Sequence, residues 1–475
     1  MATAQAATYV ERAAGHEGTS TLQQDISNPA KDAQKYADPS GAKMKALVWM
    51  GKNKVEVVPL FKRSCIQREN GKDRLGSDVT IVECPKPRIV EDRDVIVKVT
   101  GTTVCGSDLH LLHGAIQQME KGDILGHEFC GVVESIGPKA MGKSFKVGDR
   151  VVASFQIACG ECVYCKDKLS SQCERTSDNT IQTTMYGGRV AGIFGYSHFT
   201  GGFAGGQAEY VRVPYGDVNL LKLPDNVPDE KGLYLSDVLC TAWHAVLDTG
   251  VHKGHVVAIW GAGPVGQMTA DFAFHCGASR VIVIDKNWRL DFLKSKYPNI
   301  ETIDYTKLGK GESVTTRLHT MVHKGPDVCI ECAAGEYAKG WAHYFEMLLG
   351  METDTSEIIN EMITSCKGFG SCGVTGVYVG YTNHFNIGAL MERGIRLIGN
   401  GQAPVHKYWH KLLKKVEDGE IDPLKMVTHR VLLEELDEVY HKFDKREDGM
   451  QKVFVQTQYS FAPAPGTPAV TQFKL

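Results

Sequence analysis

The stretch Val256–Val257–Ala258–Ile259–Trp260 followed by Gly261-Ala262-Gly263-Pro264-Val265-Gly266 constrains the fold of this 475-residue chain more than any other feature. An apolar strand that runs into spaced glycines and then a helix is the first half of a βαβ unit. Each glycine has a separate physical task. Gly261 permits the tight turn, Gly263 lets a pyrophosphate approach the backbone, and Gly266 lets helix and strand pack closely. The unpaired N–H groups where the helix opens, around Pro264 and Val265, are suited to phosphate. A second strand, Arg280–Asp285, ends in an acid nineteen residues after Gly266. Asp285 can accept hydrogen bonds from both hydroxyls of an adenosine ribose and would repel a 2′-phosphate, which favours NAD over NADP. Lys286 and Arg289 close by keep NADP as the lesser alternative. A glycine turn without a ligand is the blander reading, and the complete strand–turn–helix–strand context weighs against it.

The rest of the chain divides around this unit. From His255 onward strands alternate with helices: Val256–Trp260, a helix from Pro264, Arg280–Asp285, a helix from Trp288, Asp327–Glu331, a helical stretch over Ala338–Lys367, then strands at Ser371–Tyr378 and Arg396–Gly399. That alternation predicts an α/β unit with a doubly wound parallel sheet. Before Pro224 the pattern differs. Short runs rich in Val and Ile, at Lys45–Met50, Lys54–Val58, Asp94–Thr100, Cys130–Ile136, Arg150–Ser154 and Gln207–Val213, predict a distorted β-barrel. Pro228–Asp248 reads as one helix, as does Val405–Glu417, and a strand–helix–strand ends near Gln456. Lys62–Asp78 reads as a polar loop insertion, residues 1–43 as a disordered tail and Phe461–Gln472 as a loose one.

Cys159, Cys162, Cys165 and Cys173 form C-x2-C-x2-C-x7-C. Four thiolates in a short loop can close a tetrahedral shell around zinc and leave no position for substrate, so the site is structural. An iron–sulfur run would have a shorter last spacer followed by Pro, whereas Glu174 follows here. Reduced thiols without a metal are the other alternative. Four cysteines this close in a long chain point to metal binding in a reducing compartment, the cytoplasm, rather than to disulfides.

A second constellation starts at Cys105-Gly106-Ser107-Asp108-Leu109-His110 and continues at Gly126-His127-Glu128. A thiolate and an imidazole at loop ends can share one zinc. A catalytic zinc needs a third protein ligand and an open position, and spacing alone does not identify that ligand. Singly, Cys105 is an ordinary core thiol and His127 an ordinary core histidine. In a chain with a dinucleotide turn they gain weight together.

These motifs, in this order and spacing, resemble the medium-chain dehydrogenase/reductase superfamily of zinc alcohol dehydrogenases from Met44 to about Gln456. Within it the chain is similar to the glutathione-independent formaldehyde dehydrogenase-like branch. The residues that carry this are Gly201-Gly202-Phe203-Ala204-Gly205-Gly206-Gln207-Ala208-Glu209-Tyr210-Val211, Asn219–Pro224, Leu235-Ser236-Asp237 and Gly399–Val405. The resemblance implies a GroES-like β-barrel catalytic domain with a structural-zinc lobe over 44–240, a Rossmann NAD-binding domain over 241–399, a return to the catalytic domain over 400–458 and a tail over 459–475. It implies Asp237 as the third ligand, with Cys240 as rival, and Glu128 beside the metal or exchanging onto it. It implies Ser107 and His110 as a proton relay and Thr241 packed on the nicotinamide. It also implies two zinc ions per chain, zinc and cofactor meeting in the interdomain cleft, and a homodimer or homotetramer.

The function so implied is hydride transfer between a small alcohol or hydrated aldehyde, formaldehyde being one candidate, and NAD. A polyol or secondary-alcohol dehydrogenase of the same fold is the nearest alternative. A non-catalytic nucleotide-binding protein on this scaffold would lack one or more of Cys105, Ser107, His110, His127 and Asp237, and all are present. The net charge of -3 gives no reason to expect nucleic acid or an anionic membrane surface as partner, and no stretch is long and apolar enough to span a bilayer.

Overall fold

The computed structural model describes residues 33–51, 79–114, 116, 118–142, 144–333, 355–378 and 380–471. The chain forms two compact units, Met1–Asp237 with Pro404–Leu475, and Val238–Ala403.

In the Val238–Ala403 unit, six parallel strands stand in the order Glu301–Asp304, Arg280–Asp285, Val256–Trp260, Val328–Glu331, Ser371–Val374, Arg396–Gly399. The central strand is fully covered at Val257, Ala258 and Ile259, as expected of a parallel sheet with both faces packed. Strand order reverses between Val256–Trp260 and Val328–Glu331, and the Gly261 turn lies at that switch point, where open α/β sheets bind ligands. The helix Pro264–His275 starts with Pro at its first turn, where its missing N–H costs nothing.

Two sequence expectations change here. The strand expected over Ser371–Tyr378 stops at Val374, because Gly376 N–H turns to the Glu331 carboxylate (2.8 Å) instead of extending the ladder. The edge strand Glu301–Asp304 has no apolar run to announce it and was not expected. Of the helical stretch over Ala338–Lys367, the described part is the helix Glu357–Ser365; residues 338–354 lie outside the described residues.

In the other unit a seven-stranded sheet has the order Val427–Leu432, Lys452–Gln456, Val95–Thr102, Phe129–Ile136, Arg150–Ala153, Leu220–Lys222, with Tyr210–Val213 also paired to Val95–Thr102. Lys43–Trp49 pairs antiparallel with Val79–Pro85, a strand not expected. The expected strand Lys54–Val58 and nearly all of the loop Lys62–Asp78 lie outside the described residues. Phe129, Phe194 and Phe203, all buried, meet edge to face in the core of this unit.

The helix expected over Pro228–Asp248 is three pieces: Asp229–Gly232, a 3₁₀ turn Leu233–Leu235, and Val238–Asp248. The break falls at Ser236-Asp237, where the Ser236 carbonyl accepts from Phe155 N–H (3.2 Å).

The described parts of both tails are better held than their composition suggested. Order begins before Met44: Tyr36, in the short helix Ala33–Tyr36, is buried, and its carbonyl accepts from Arg88 N–H (2.9 Å). The supposed loose tail over 459–475 is docked as far as residue 471. Ser460 Oγ donates to the Thr100 carbonyl (2.5 Å), Ala464 N–H to Glu230 (3.2 Å), and Thr471 N–H to the Arg430 carbonyl (2.7 Å). Each of these bonds has a main-chain partner, and such bonds leave no mark in hydropathy.

One buried ion pair pins the barrel. Asp94 Oδ2 accepts from Arg212 Nε (2.5 Å) and from Val90 and Glu91 N–H (2.9 and 2.6 Å), with both side chains sealed from solvent. Removing one member strands the other's charge, so Asp94→Ala is expected to destabilise this unit by about 3–5 kcal/mol, seen as an earlier urea midpoint.

Candidate active site

Cys105 precedes the helix Gly106–Leu112, His127 and Glu128 lead into the strand Phe129–Ile136, and Asp237 occupies the break before Val238–Asp248. Their donor atoms all lie within 4.8 Å of one another. His127 Nε2 is 3.5 Å from Asp237 Oδ2, 3.9 Å from Glu128 Oε1 and 3.5 Å from Ser107 Oγ. Cys240, the rival ligand, is buried on the helix after the break and is not one of these four donors. His110 lies three residues beyond Ser107, half-buried, in the last turn of the same helix.

The other ring nitrogen of His127 faces Asp108. Nδ1 and Asp108 Oδ1 are 3.1 Å apart, at an angle short of good hydrogen-bond alignment. That arrangement puts the proton on Nδ1 and the lone pair of Nε2 toward the cluster. Burial disfavours a charged His127 ring, but Asp108, Asp237 and Cys105 together outweigh it and hold the pKa of the metal-free ring well above the usual value. Asp108 in turn accepts from Cys105 N–H (2.9 Å) and Gln207 Nε2 (3.3 Å), and Gln207 Oε1 accepts from Tyr440 OH (2.8 Å). The rings of Tyr196 and Phe155 pack edge-on against His127, at 5.9 and 6.2 Å.

Glu128 is fixed from behind. Lys452 Nζ, wholly buried, donates to Glu128 Oε1 (2.6 Å) and to the Val104 carbonyl (3.4 Å). Burial raises the Glu128 pKa, and Lys452 opposes that rise. Lys452, Gln207, Tyr440 and Tyr196 were missed as functional residues. Lys452 lies 324 residues from Glu128 in sequence, and no local motif marks such a pair.

The four-cysteine lobe has almost no core of its own. Its buried cluster is Cys159, Cys162, Cys173 and Ala191. All four sulfurs lie within 4.8 Å of one another, with Cys159 and Cys165 at 3.9 Å. Zinc–sulfur bonds of about 2.3 Å in a tetrahedron separate sulfurs by about 3.8 Å, so the set fits zinc with little adjustment. Glu161 and Cys162 N–H groups point at Cys159 Sγ (both 3.4 Å), as they would at a thiolate. The Cys165 and Cys173 thiols beside it hold the Cys159 pKa far below the usual value.

At the dinucleotide turn, Gly261 has φ +107°, and a Cβ on Gly266 would sit 1.9 Å from the Gly261 carbonyl oxygen. Gly263 faces open space, with nothing within 4 Å of where its Cβ would be, as a site for pyrophosphate requires. Asp285 is buried and braces the turn: Oδ2 accepts from Ala262 N–H (2.7 Å) and Oδ1 from Lys286 N–H (2.7 Å). A carboxylate retains lone pairs for ribose hydroxyls beyond those two bonds. Arg289 Nη1 lies 3.7 Å from Asp285 Oδ2. Thr241 is buried on Val238–Asp248.

A donor set fit for an open metal, a closed four-thiolate shell and a nicotinamide-type glycine turn in one chain define a zinc-dependent dehydrogenase. Residues 91–225 match the alcohol dehydrogenase GroES-like domain. A zinc-type alcohol dehydrogenase-like protein of Schizosaccharomyces pombe is 37% identical over 423 residues, 89% of this chain and 93% of that one. A glutathione-independent formaldehyde dehydrogenase of Pseudomonas aeruginosa is 32% identical over 408 residues, 79% of this chain and 94% of that one. An alcohol dehydrogenase of Thermus sp. ATN1 superposes with a TM-score of 0.67 at 29% identity, covering 87% of this chain and 100% of its own. The chain belongs to the medium-chain zinc alcohol dehydrogenase superfamily and is an oxidoreductase of the alcohol and aldehyde class. Among the described residues no helix is long and apolar enough to cross a membrane.

The two donor sets are separable by metal analysis. Wild type is expected to carry about two zinc ions per chain, and Cys105→Ala and Cys162→Ser about one each. Only Cys162→Ser is expected to lower the thermal midpoint strongly, because its zinc stands in for a core.

Proposed function

We propose that the chain oxidises a small alcohol or hydrated aldehyde with NAD, holding a catalytic zinc on Cys105, His127 and Asp237 and a structural zinc on Cys159, Cys162, Cys165 and Cys173. The observation that carries this is the convergence of thiol, imidazole and carboxylate donors within 4.8 Å beside the Ser107 hydroxyl. Zinc supplies Lewis acidity that lowers the pKa of a substrate hydroxyl, and NAD accepts the hydride.

The chain's own groups do the rest. Cys105 as thiolate and Asp237 as carboxylate balance a divalent charge, and His127 adds a neutral donor oriented by Asp108. Glu128, also within the donor set and paired with Lys452, stands beside the metal or exchanges onto it. Ser107 accepts the substrate hydroxyl proton, and His110 passes it to solvent from the half-buried side of the helix. Tyr196 and Phe155 wall the His127 side with aromatic surface, which suits a short substrate. Formaldehyde is the first substrate to test, given the 32% identical formaldehyde dehydrogenase. Arg289 is turned to Asp285 rather than to where a 2′-phosphate would lie, which supports NAD over NADP. None of thirteen described cysteines is in a disulfide, in keeping with a reducing compartment such as the cytoplasm.

NADH formation should be measured on zinc-loaded protein with formaldehyde, ethanol and sorbitol. Turnover of the first two above sorbitol is the expected result; preference for sorbitol would replace this reading with a polyol dehydrogenase, and no turnover of any would reject catalysis. Asp108→Asn is expected to lower kcat/KM about 10–100-fold, since it frees the His127 ring.

The Arg396–Gly399 strand is the outer edge of the six-stranded sheet, with Leu397 exposed on it and Ile387 and Met391 exposed on the preceding helix. An unpaired edge beside apolar side chains is suited to a second copy of the chain. Light scattering should give about twice the 52.1 kDa chain mass, and a Met391→Glu/Leu397→Arg variant a mass near the single chain.

A further inference from the structure

A third cluster of sulfur lies away from both zinc donor sets. Cys329 and Cys372 are register partners on the adjacent parallel strands Val328–Glu331 and Ser371–Val374, so their side chains project to the same face. Cys366 follows the helix Glu357–Ser365 and brings a third sulfur to that face. The three Sγ atoms lie within 4.8 Å of one another, and all three residues are completely buried.

The surroundings limit what such a site can take. The donor set ends at three, with no histidine or carboxylate joining it among the described residues. Zinc on three protein ligands needs a fourth, commonly water, and this cluster is wholly buried. Three thiolates on a divalent or monovalent ion would also leave net negative charge in an apolar interior. Cys366 Sγ already faces the carbonyl oxygens of Pro326, Ser371 and Asp327 at 3.6, 3.7 and 3.8 Å, which adds to that cost. The guanidinium of Arg393 is engaged at the Cys366 carbonyl rather than at a sulfur. A trivalent centre with three thiolates is neutral and needs no counter-ion. Soft ligands of this kind select thiophilic elements. Bonds of about 2.3 Å to three sulfurs at the pyramidal angles of a centre with a lone pair would place them about 3.5 Å apart, which asks for a contraction of up to about 1.3 Å.

The cover over the site is one exposed turn, which must move for a ligand to enter. The site lies under the turn Lys367-Gly368-Phe369-Gly370, whose first three residues are exposed, Phe369 by 78%. A Cβ on Gly370 would sit 2.5 Å from Cys366 Sγ, so this turn closes directly onto the sulfur.

We propose that Cys329, Cys366 and Cys372 form a trithiol pocket that captures a trivalent, three-coordinate thiophilic centre of the arsenite class. The reaction is a ligand exchange without redox change: As(OH)3 and three Cys–SH give As(S–Cys)3 and three H2O. Three As–O and three S–H bonds break, three As–S bonds form, and each thiol proton leaves in a water molecule.

The test uses the zinc-loaded full chain incubated with arsenite and desalted. Arsenic and zinc are counted by elemental mass spectrometry, and free thiols are titrated after denaturation. Wild type and a Cys276→Ser control are expected to retain about one arsenic per chain, lose about three thiols, keep their zinc and show three sulfur neighbours in arsenic X-ray absorption. Cys366→Ser and Cys372→Ser are each expected to lower retention at least about tenfold. If one variant fails to fold, the other and the wild-type thiol count still decide. No retention by wild type, equal retention by both variants, arsenic bound only as zinc is released, or a Cys329–Cys372 disulfide in the isolated protein would each overturn the proposal.

Discussion

Electrostatic crowding at the Cys105–His127–Glu128–Asp237 cluster governs the structure around it. A thiol and two carboxylates within 4.8 Å, with Glu128 fully buried, cannot all be ionised without cations close by. Lys452 answers for Glu128. A divalent metal would match the charge of Asp237 and of Cys105 bound to it as thiolate. Distant parts of the sheet serve this balance: the strand Lys452–Gln456 brings in the lysine, and Gln207 and Cys105 donate N–H groups to the Asp108 carboxylate that steers His127.

The two zinc donor sets divide the labour between holding and reacting. The cysteine lobe offers sulfur on every side and buries little else, so a metal held there would substitute for a hydrophobic interior. The other set mixes sulfur, nitrogen and oxygen from three separated stretches and borders the Ser107 hydroxyl. In the second unit glycine takes the corresponding role. The Gly261–Gly266 contact is so close that only hydrogen fits between them, and Asp285 ties the turn to the neighbouring strand.

Much of this could be read from the sequence where the chemistry is local. The glycine turn, the four cysteines and Cys105 with His127 are spaced by short-range geometry, and their residue types have few other uses together. Asp237 was reachable only through family resemblance, since the helical pattern over Pro228–Asp248 runs through it and hides the break. Lys452, Tyr440 and Gln207 were invisible, because a buried lysine or tyrosine looks like a surface one until its partner is known. The C-terminal stretch misled for a related reason: its proline-rich composition suggests looseness, while hydrogen bonds to the Thr100 and Arg430 carbonyls hold it.

The barrel strand Lys452–Gln456 has a consequence for how the protein is made. Val453 accepts a hydrogen bond from Thr103, 350 positions earlier in the chain. At ribosomal speeds of about 5–20 residues per second, the early barrel strands wait roughly 20–70 s for that partner. The whole Val238–Ala403 unit emerges in the interval and is free to fold first. The reactive cysteine and histidine therefore exist for many seconds before the lysine that steadies their acidic neighbour has been synthesised, so the nascent chain passes through a stage when its donors are present and their setting is unfinished.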